Sequence, residues 1–140
     1  MKILIIGSMA FIHEMLTVQK RLKKLGHTAH IPVGTKPHQK DPTFVENLEE
    51  NLKFCIERDV MRKNFQEVGK NDAVLVLNHK RNGLEGYIGI SALMEMAIAH
   101  YLKKKIFLYN NIPHFREVRW AHEVSIMQPI VIDGDLSKLE

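Results

Sequence analysis

The feature that most constrains the fold is a regular alternation of short apolar runs with longer segments of helical periodicity. Residues 2–6 form a mostly apolar run that ends at Gly7, as expected of a strand buried on both faces. Residues 11–25 repeat apolar side chains at steps of three and four and stop at Gly26, which indicates an amphipathic helix. Alternation of this kind predicts a parallel sheet with right-handed crossovers and helices on both faces.

The remaining segments fix the predicted strand order. Residues 28–33 alternate apolar and polar side chains and contain Pro32, so this strand belongs at a sheet edge. Further strands are predicted at residues 73–77, 106–109 and 130–132, and further helices at residues 89–103 and within 113–126. The simplest arrangement is an α/β fold of the flavodoxin-like or Rossmann-like type, a doubly wound five-stranded sheet in the order 2-1-3-4-5.

The segment between the second and third strands leaves two alternatives open. Residues 34–42 predict a loop, and residues 44–68 then keep helical spacing over an unusual length. Either this helix is broken near residues 57–59, or one long helix leaves a face for a second subunit.

Length and charge narrow the class of protein. A chain of 140 residues predicts one domain, residues 1–140. The net charge of +4 comes largely from lysines and arginines at predicted helix ends without interleaved aromatic residues, so no nucleic acid polymer is expected as a partner. No apolar run reaches the ~20 residues of a membrane span, and the opening run is too short for a secretory leader. We therefore expect a cytoplasmic protein without a membrane partner.

Ligands of doubly wound sheets bind beyond the carboxyl ends of the strands, which selects four loops. These loops are residues 7–9, 34–43, 78–90 and 110–114. The first loop lacks the glycine pattern of dinucleotide-binding proteins, and the chain has no phosphate-binding Gly-Lys-Ser/Thr loop. Both His-Glu pairs of the chain lack the second histidine of the zinc-protease pattern, and the single cysteine excludes a multi-cysteine zinc site. Neither a cofactor nor a metal ion is expected.

The most informative segment is the predicted helix around Glu95. Residues 92–99 are apolar on all sides except at Glu95, whereas a solvent-facing helix of this fold has a polar stripe. An unpaired carboxylate among apolar residues is costly, so Glu95 is expected to open into a cleft. Glycines at positions 83, 86 and 89 would let the backbone approach a ligand at the start of this helix.

Several segments together resemble the nucleoside 2-deoxyribosyltransferase-like superfamily, which includes nucleoside 5'-monophosphate N-glycosidases. The segments are residues 2–9, 72–78, 87–89 with 95–97, and 104–109, and they extend over nearly the whole chain. The resemblance implies that Glu95 is the nucleophile and that Gly7 and Ser8 hold the sugar or its 5' substituent. It also implies an acidic residue before the central strand. Asp59 is the candidate, and Asn64 lies nearer the usual spacing.

Residues 82–85 lack the acidic pair that transferases of this superfamily tend to have before the glutamate-bearing helix. The sequence therefore favours binding or hydrolysis over transfer between bases. The expected catalytic residues are Glu95 and Asp59, and the expected substrate-binding residues are Gly7, Ser8, Met9, Asn78, Tyr87, Gly89, Ser91 and Asn111.

The chemistry of N-glycosidic cleavage fits these residue types. A carboxylate beneath the anomeric carbon stabilises an oxocarbenium-like transition state or forms a glycosyl ester. Glu95 must be ionised to attack, although apolar surroundings raise a carboxyl pKa. Asp59 or His38 is a possible proton donor to the departing base.

The sequence thus leads to two functional hypotheses. The first is cleavage or transfer at the N-glycosidic bond of a nucleoside or nucleoside 5'-monophosphate. The second is a catalytically silent nucleotide-binding or sensing module on the same fold. The apolar helix around Glu95 and the long 44–68 segment also predict a homo-oligomer, at least a dimer, in which the 110–114 loop could complete a neighbour's cleft.

Overall fold

A computed structural model describes all residues of the chain, 1–140, with five strands, six α-helices and three short 3-10 helices. The strands are β1 Lys2–Ile6, β2 Thr28–His30, β3 Ala73–Val76, β4 Lys105–Leu108 and β5 Ile130–Val131. The helices are α1 Ile12–Lys24, α2 Lys36–Lys40, α3 Leu48–Glu57, α4 Val60–Lys70, α5 Ile90–Tyr101 and α6 Trp120–Ile126. All strand pairs are parallel, in the order β2-β1-β3-β4-β5. The predicted α/β doubly wound fold is confirmed.

The sheet is buried on both faces by two separate apolar cores. Successive side chains of a strand point to opposite faces, and β1 divides accordingly. Ile3 and Ile5 belong to a core beneath α1 and the C-terminal segment, whereas Leu4 and Ile6 belong to a core beneath α4, α5 and α6. All four side chains are fully buried. This two-sided burial explains why β1 is apolar throughout instead of alternating.

Three elements differ in extent from their predictions. The edge strand β2 stops at His30, two residues before Pro32, because proline cannot donate a hydrogen bond to a sheet ladder. The predicted loop 34–42 contains the short helix α2, and Pro37 occupies its first turn, where a missing N–H group is tolerated. Of the predicted helical region 113–126, only Trp120–Ile126 is an α-helix.

The 44–68 segment is broken, as the first of the two alternatives predicted. Helix α3 ends at Glu57 and α4 begins at Val60, with Asp59 between them in the left-handed backbone region at φ 49°. Aspartate enters this region more easily than most residues, since its short polar side chain finds local hydrogen bonds. Helix α3 has no buried residue, whereas α4 packs against α5.

The helices are short. Helix α1 has 13 residues and α5 has 12, whereas a transmembrane helix requires about 20 apolar residues. No helix of the chain is both long enough and apolar enough to span a membrane.

Candidate functional site

A cleft of about 300 Å³ opens beyond the carboxyl ends of β1 and β3. The strand order reverses here, because β1 pairs with β2 on one side and with β3 on the other. At such a switch point, the connections leave toward opposite faces of the sheet and separate the loops. The cleft is walled by the loop after β1, the segment after β2, helices α3 and α4, and the start of α5.

Glu95 is the buried ionisable group of the cleft. It lies in the second turn of α5, and only 5% of the residue is exposed. Its Oε2 atom is buried and has no hydrogen-bond partner. Burial raises the pKa of Glu95 to about 8, because the charged form loses hydration without gaining a cation or a donor. Without a ligand, most molecules therefore hold this carboxyl group in its neutral form at pH 7.

The position of Glu95 follows from the packing of α5. Ala92, Met96 and Ala99 face the sheet and belong to the core beneath this helix. Glu95 stands beside this apolar face and borders both the cleft and a second cavity of about 80 Å³. The small cavity has polar lining groups, Asn64 and Ser91 among them. The carboxyl group is therefore accessible to a ligand in the cleft while being sheltered from bulk water.

Ser8 and Arg81 form a polar end of the cleft. Gly7 makes the sharp exit from β1, because a Cβ atom there would lie 2.9 Å from the Leu77 carbonyl oxygen. The Ser8 Oγ atom accepts hydrogen bonds from the Ala10 N–H group at 3.2 Å and from Arg81 Nη1 at 2.9 Å. The Arg81 guanidinium carbon lies 5.6 Å from the centroid of the Tyr87 ring. This end of the cleft thus presents a cation, a hydroxyl group and an aromatic ring.

Arg81 was missed by the sequence analysis. Its side chain is only 18% exposed, and its second terminal nitrogen donates to the Glu46 carboxylate. Lys80, directly before it, is 61% exposed and pairs with Glu85 at 3.7 Å. Nothing in the sequence distinguishes the two cations, because the difference arises from contacts with residues 35 and 73 positions away. The available signal was that both follow the central strand β3.

Asn64 and His38 belong to the opposite wall. The Asn64 Oδ1 atom accepts the Val33 N–H group at 2.7 Å, and its amide nitrogen donates to the Val33 carbonyl group at 3.4 Å. Asn64 therefore fixes the segment after β2. The His38 ring packs edge-on against Phe44 at a centroid distance of 4.9 Å, and burial lowers the pKa of His38, so this imidazole is neutral at pH 7.

The structure brings most of the predicted site residues to the cleft. Those lining it are Gly7, Ser8, Met9, Tyr87, Gly89, Ser91 and Glu95. Asp59, Asn78 and Asn111 do not line it, and their side chains have other contacts. No group of three or more histidine, cysteine, aspartate or glutamate side chains is arranged to hold a metal ion.

The three residues outside the cleft differ from their predictions for identifiable reasons. Asp59 is exposed and forms a 3.0 Å ion pair with Arg62 in the next turn. Asn78 is fully buried and joins the ends of β3 and β4, with its Nδ2 atom 2.7 Å from the Asn110 carbonyl oxygen and its Oδ1 atom 2.8 Å from the Asn110 nitrogen. Asn111 is exposed, and its side chain accepts the Ile112 N–H group.

The glycines near α5 have different surroundings. Gly86 has a φ of +70°, and a Cβ atom there would lie 2.2 Å from the Asn111 carbonyl oxygen. It is therefore required by the close approach of two protein loops and not by a ligand. Gly89 precedes α5 and lines the cleft near Ser8 and Tyr87.

No protein-family model and no curated protein matches this sequence significantly. The fold and the site define a doubly wound α/β protein with a buried, unpartnered carboxyl group at its switch point. Because this fold supports many activities, only the residues of the site indicate the function.

Proposed function

We propose that the protein cleaves or transfers the N-glycosidic bond of a nucleoside or nucleoside 5'-monophosphate, with Glu95 as the nucleophile. The observation that carries this proposal is the Glu95 carboxyl group, which is buried, has no hydrogen-bond partner at Oε2, and borders a cleft of about 300 Å³. A cleft of this size suits a small organic ligand. A carboxyl group without a partner in the free protein is available to a reacting centre.

The reaction uses the carboxylate in two steps. One Glu95 oxygen attacks the anomeric carbon, the bond to the base nitrogen breaks, and its electron pair leaves with the base. A second nucleophile then attacks the same carbon, the bond from that carbon to the Glu95 oxygen breaks, and its electron pair returns to the carboxylate while the nucleophile loses a proton to solvent. Water as the second nucleophile gives hydrolysis and releases the free sugar, whereas another base gives transfer.

The raised pKa of Glu95 gives the substrate a further role. In the free protein the carboxyl group is mostly neutral at pH 7, and a neutral acid is a poor nucleophile. A sugar hydroxyl group that donates to Oε2, together with positive charge developing at the anomeric carbon, favours the ionised form. Substrate binding would therefore help to activate the group that attacks it.

The departing base also needs a proton. Asp59 lies outside the cleft, and the neutral His38 imidazole is a weak acid that serves better to hydrogen-bond the base than to protonate it. We therefore infer that the base takes its proton from solvent in the open cleft.

The polar end of the cleft favours a 5'-phosphate. Arg81 supplies a positive charge within hydrogen-bond distance of Ser8, and Gly89 directly precedes helix α5 nearby, with amide groups in the first turn of the helix. A phosphate bound there would accept hydrogen bonds from the guanidinium group and from helix amides. A nucleoside 5'-monophosphate is therefore the preferred substrate in this proposal.

The deciding experiment is an assay of base release from a panel of nucleosides and their 5'-monophosphates, with and without an acceptor base. Release without an acceptor identifies a hydrolase, and release that requires an acceptor identifies a transferase. Saturable binding without release for any member would support the second hypothesis, a silent nucleotide-binding module, and contradict the enzymatic proposal.

We further propose that the protein forms a homo-oligomer through α3. Leu48, Leu52 and Ile56 recur every four residues on this helix and are 72%, 63% and 70% exposed. Exposed apolar stripes of this kind mark interaction surfaces, and two-fold symmetry is the commonest way to cover them. Leu48 also lines the cleft, so a second subunit there would border the site.

Light scattering tests this assembly. The native protein should give a mass of at least about 32 kDa, twice the chain mass of 16.2 kDa, whereas the Leu52→Lys variant should be a monomer. A monomeric native protein would contradict this assembly.

A further inference from the structure

A second concave region lies behind the segment that follows β2. It has a volume of about 560 Å³ and shares Val33, Gly34 and Val60 with the cleft. Glu95, Ser8 and the other groups proposed to contact substrate do not line it. The region is therefore separate from the cleft and joined to it by a common wall.

The lining of this region is strongly basic. Four of its ten residues are cations, namely Lys36, Lys40, Arg58 and Lys63, and no carboxylate lines it. We call this region the basic pocket. The four cations come from α2, from the turn after α3, and from α4, so tertiary structure brings together charges that are up to 27 positions apart in sequence.

None of the four cations is neutralised by the protein. They form no salt bridge, although Arg62 and Lys70 on the same helix α4 are both paired. The acidic residues directly after Lys40 and Arg58 also have other partners. Asp41 accepts hydrogen bonds from Thr43, and Asp59 pairs with Arg62.

Unpaired like charges around one concave surface repel each other, and an anion between them removes that repulsion. A single phosphate group can contact only some of four side chains that surround a pocket of this size. Phosphate groups in a row can contact all of them, with arginine binding in a fork and lysines acting as point charges. We propose that the basic pocket binds a small ligand with two or more adjacent phosphate groups, at a site distinct from the cleft.

The test is a calorimetric titration of the full chain with inorganic tripolyphosphate, orthophosphate and ATP at low salt. We expect saturable binding of tripolyphosphate at the basic pocket, with an affinity at least about tenfold above that of orthophosphate. Comparable or tighter binding of ATP that is weakened by Lys40→Ala with Lys63→Ala identifies a nucleotide as the ligand of the basic pocket, whereas binding of tripolyphosphate without ATP identifies an inorganic polyphosphate. If neither tripolyphosphate nor ATP binds saturably, the proposal is overturned.

Three variants locate the binding. The double substitution Lys40→Ala with Lys63→Ala should weaken tripolyphosphate binding at least about tenfold and reduce its dependence on salt. The matched control is Lys20→Ala with Lys23→Ala, two exposed lysines on α1, which should leave the affinity within about twofold. Arg81→Met removes the cation proposed to hold a 5'-phosphate in the cleft, and binding of tripolyphosphate at the basic pocket should persist in this variant. An equal loss in the α1 control, or a loss confined to Arg81→Met, overturns the proposal. Thermal unfolding of each variant confirms that the fold is retained.

Discussion

Glu95 and Asp59 offer the most instructive comparison within the molecule, because both are acidic residues predicted to act at the same site. Glu95 is 5% exposed, has a buried oxygen without a partner, and lies on a helix packed against the sheet. The Asp59 side chain is 55% exposed, pairs with Arg62, and occupies the break between two helices. Burial raises the pKa of Glu95 to about 8. The comparison shows that the packing of its helix leaves one carboxyl group buried without a partner, whereas the other is exposed and paired.

The largest expected effect separates these two residues directly. Glu95→Gln should lower the rate of base release by at least about 10³-fold, because the isosteric amide cannot form a glycosyl ester. Asp59→Asn is the matched control, since asparagine also tolerates the left-handed backbone, and should change the rate less than about twofold. The measurement is chromatographic assay of the free base. Equal losses of base release in both variants would contradict a role for Glu95 that Asp59 does not share.

A second expected effect concerns stability against pH. Between pH 4.5 and about 8 the unfolded chain has released the Glu95 proton while the folded protein retains it, so the unfolded state binds fewer protons and stability falls as pH rises. The fall is about 1.4 kcal/mol per pH unit in this window. The stability of Glu95→Gln relative to the native protein should therefore increase by roughly 3 kcal/mol from pH 4.5 to pH 7. Urea unfolding at both pH values measures this difference, and no increase would show that Glu95 ionises normally.

The same equilibrium predicts the pH dependence of activity. In the proposed mechanism the ionised form of Glu95 attacks, so kcat/KM should rise about tenfold per pH unit below about pH 8 and then level off. From pH 6 to pH 8 the expected change is about 50-fold, because half of the Glu95 carboxyl groups are ionised at pH 8. A kcat/KM that instead falls above pH 8 would make Glu95 a proton donor and not a nucleophile.

A smaller effect is expected at the polar end of the cleft. Arg81→Met removes the cation and keeps an apolar stem, so the preference for a 5'-monophosphate over its nucleoside should fall at least about tenfold, or 1.4 kcal/mol. Lys80→Met is the matched control, because Lys80 is exposed and does not line the cleft. The ratio of the two kcat/KM values measures the effect, and an unchanged ratio in Arg81→Met would exclude a role for Arg81 in holding the phosphate.

The fold and the location of Glu95 could be predicted from the sequence because both depend on local periodicity. The apolar runs predict the strands. Residues 92–99 have no polar stripe, which indicates a helix whose Glu95 side chain does not lie in solvent. The position of Arg81 in the cleft could not be predicted from the sequence, because its burial depends on Ser8, Tyr87 and Glu46, which only the tertiary structure brings together.

Asn78 illustrates the opposite error. It follows the central strand, where ligand-binding residues of this fold lie, and its residue type suits hydrogen bonding to a substrate. Asn110 follows the next strand in the corresponding position, and the two side chains and backbones bind each other instead. A position at the carboxyl end of a strand indicates where a residue lies, but its hydrogen-bond partner decides whether it is free to bind a ligand.

The most direct test of the central claim is to trap the covalent intermediate on Glu95. A nucleoside 5'-monophosphate with fluorine at the 2' carbon slows breakdown of the glycosyl ester, since fluorine destabilises the oxocarbenium-like transition state. Intact-protein mass spectrometry should show one fluorosugar phosphate per chain, released base in equal amount, and the added mass on the peptide that contains Glu95. An adduct on another residue, or turnover of the natural substrate by Glu95→Gln, would contradict the assignment of Glu95 as the nucleophile.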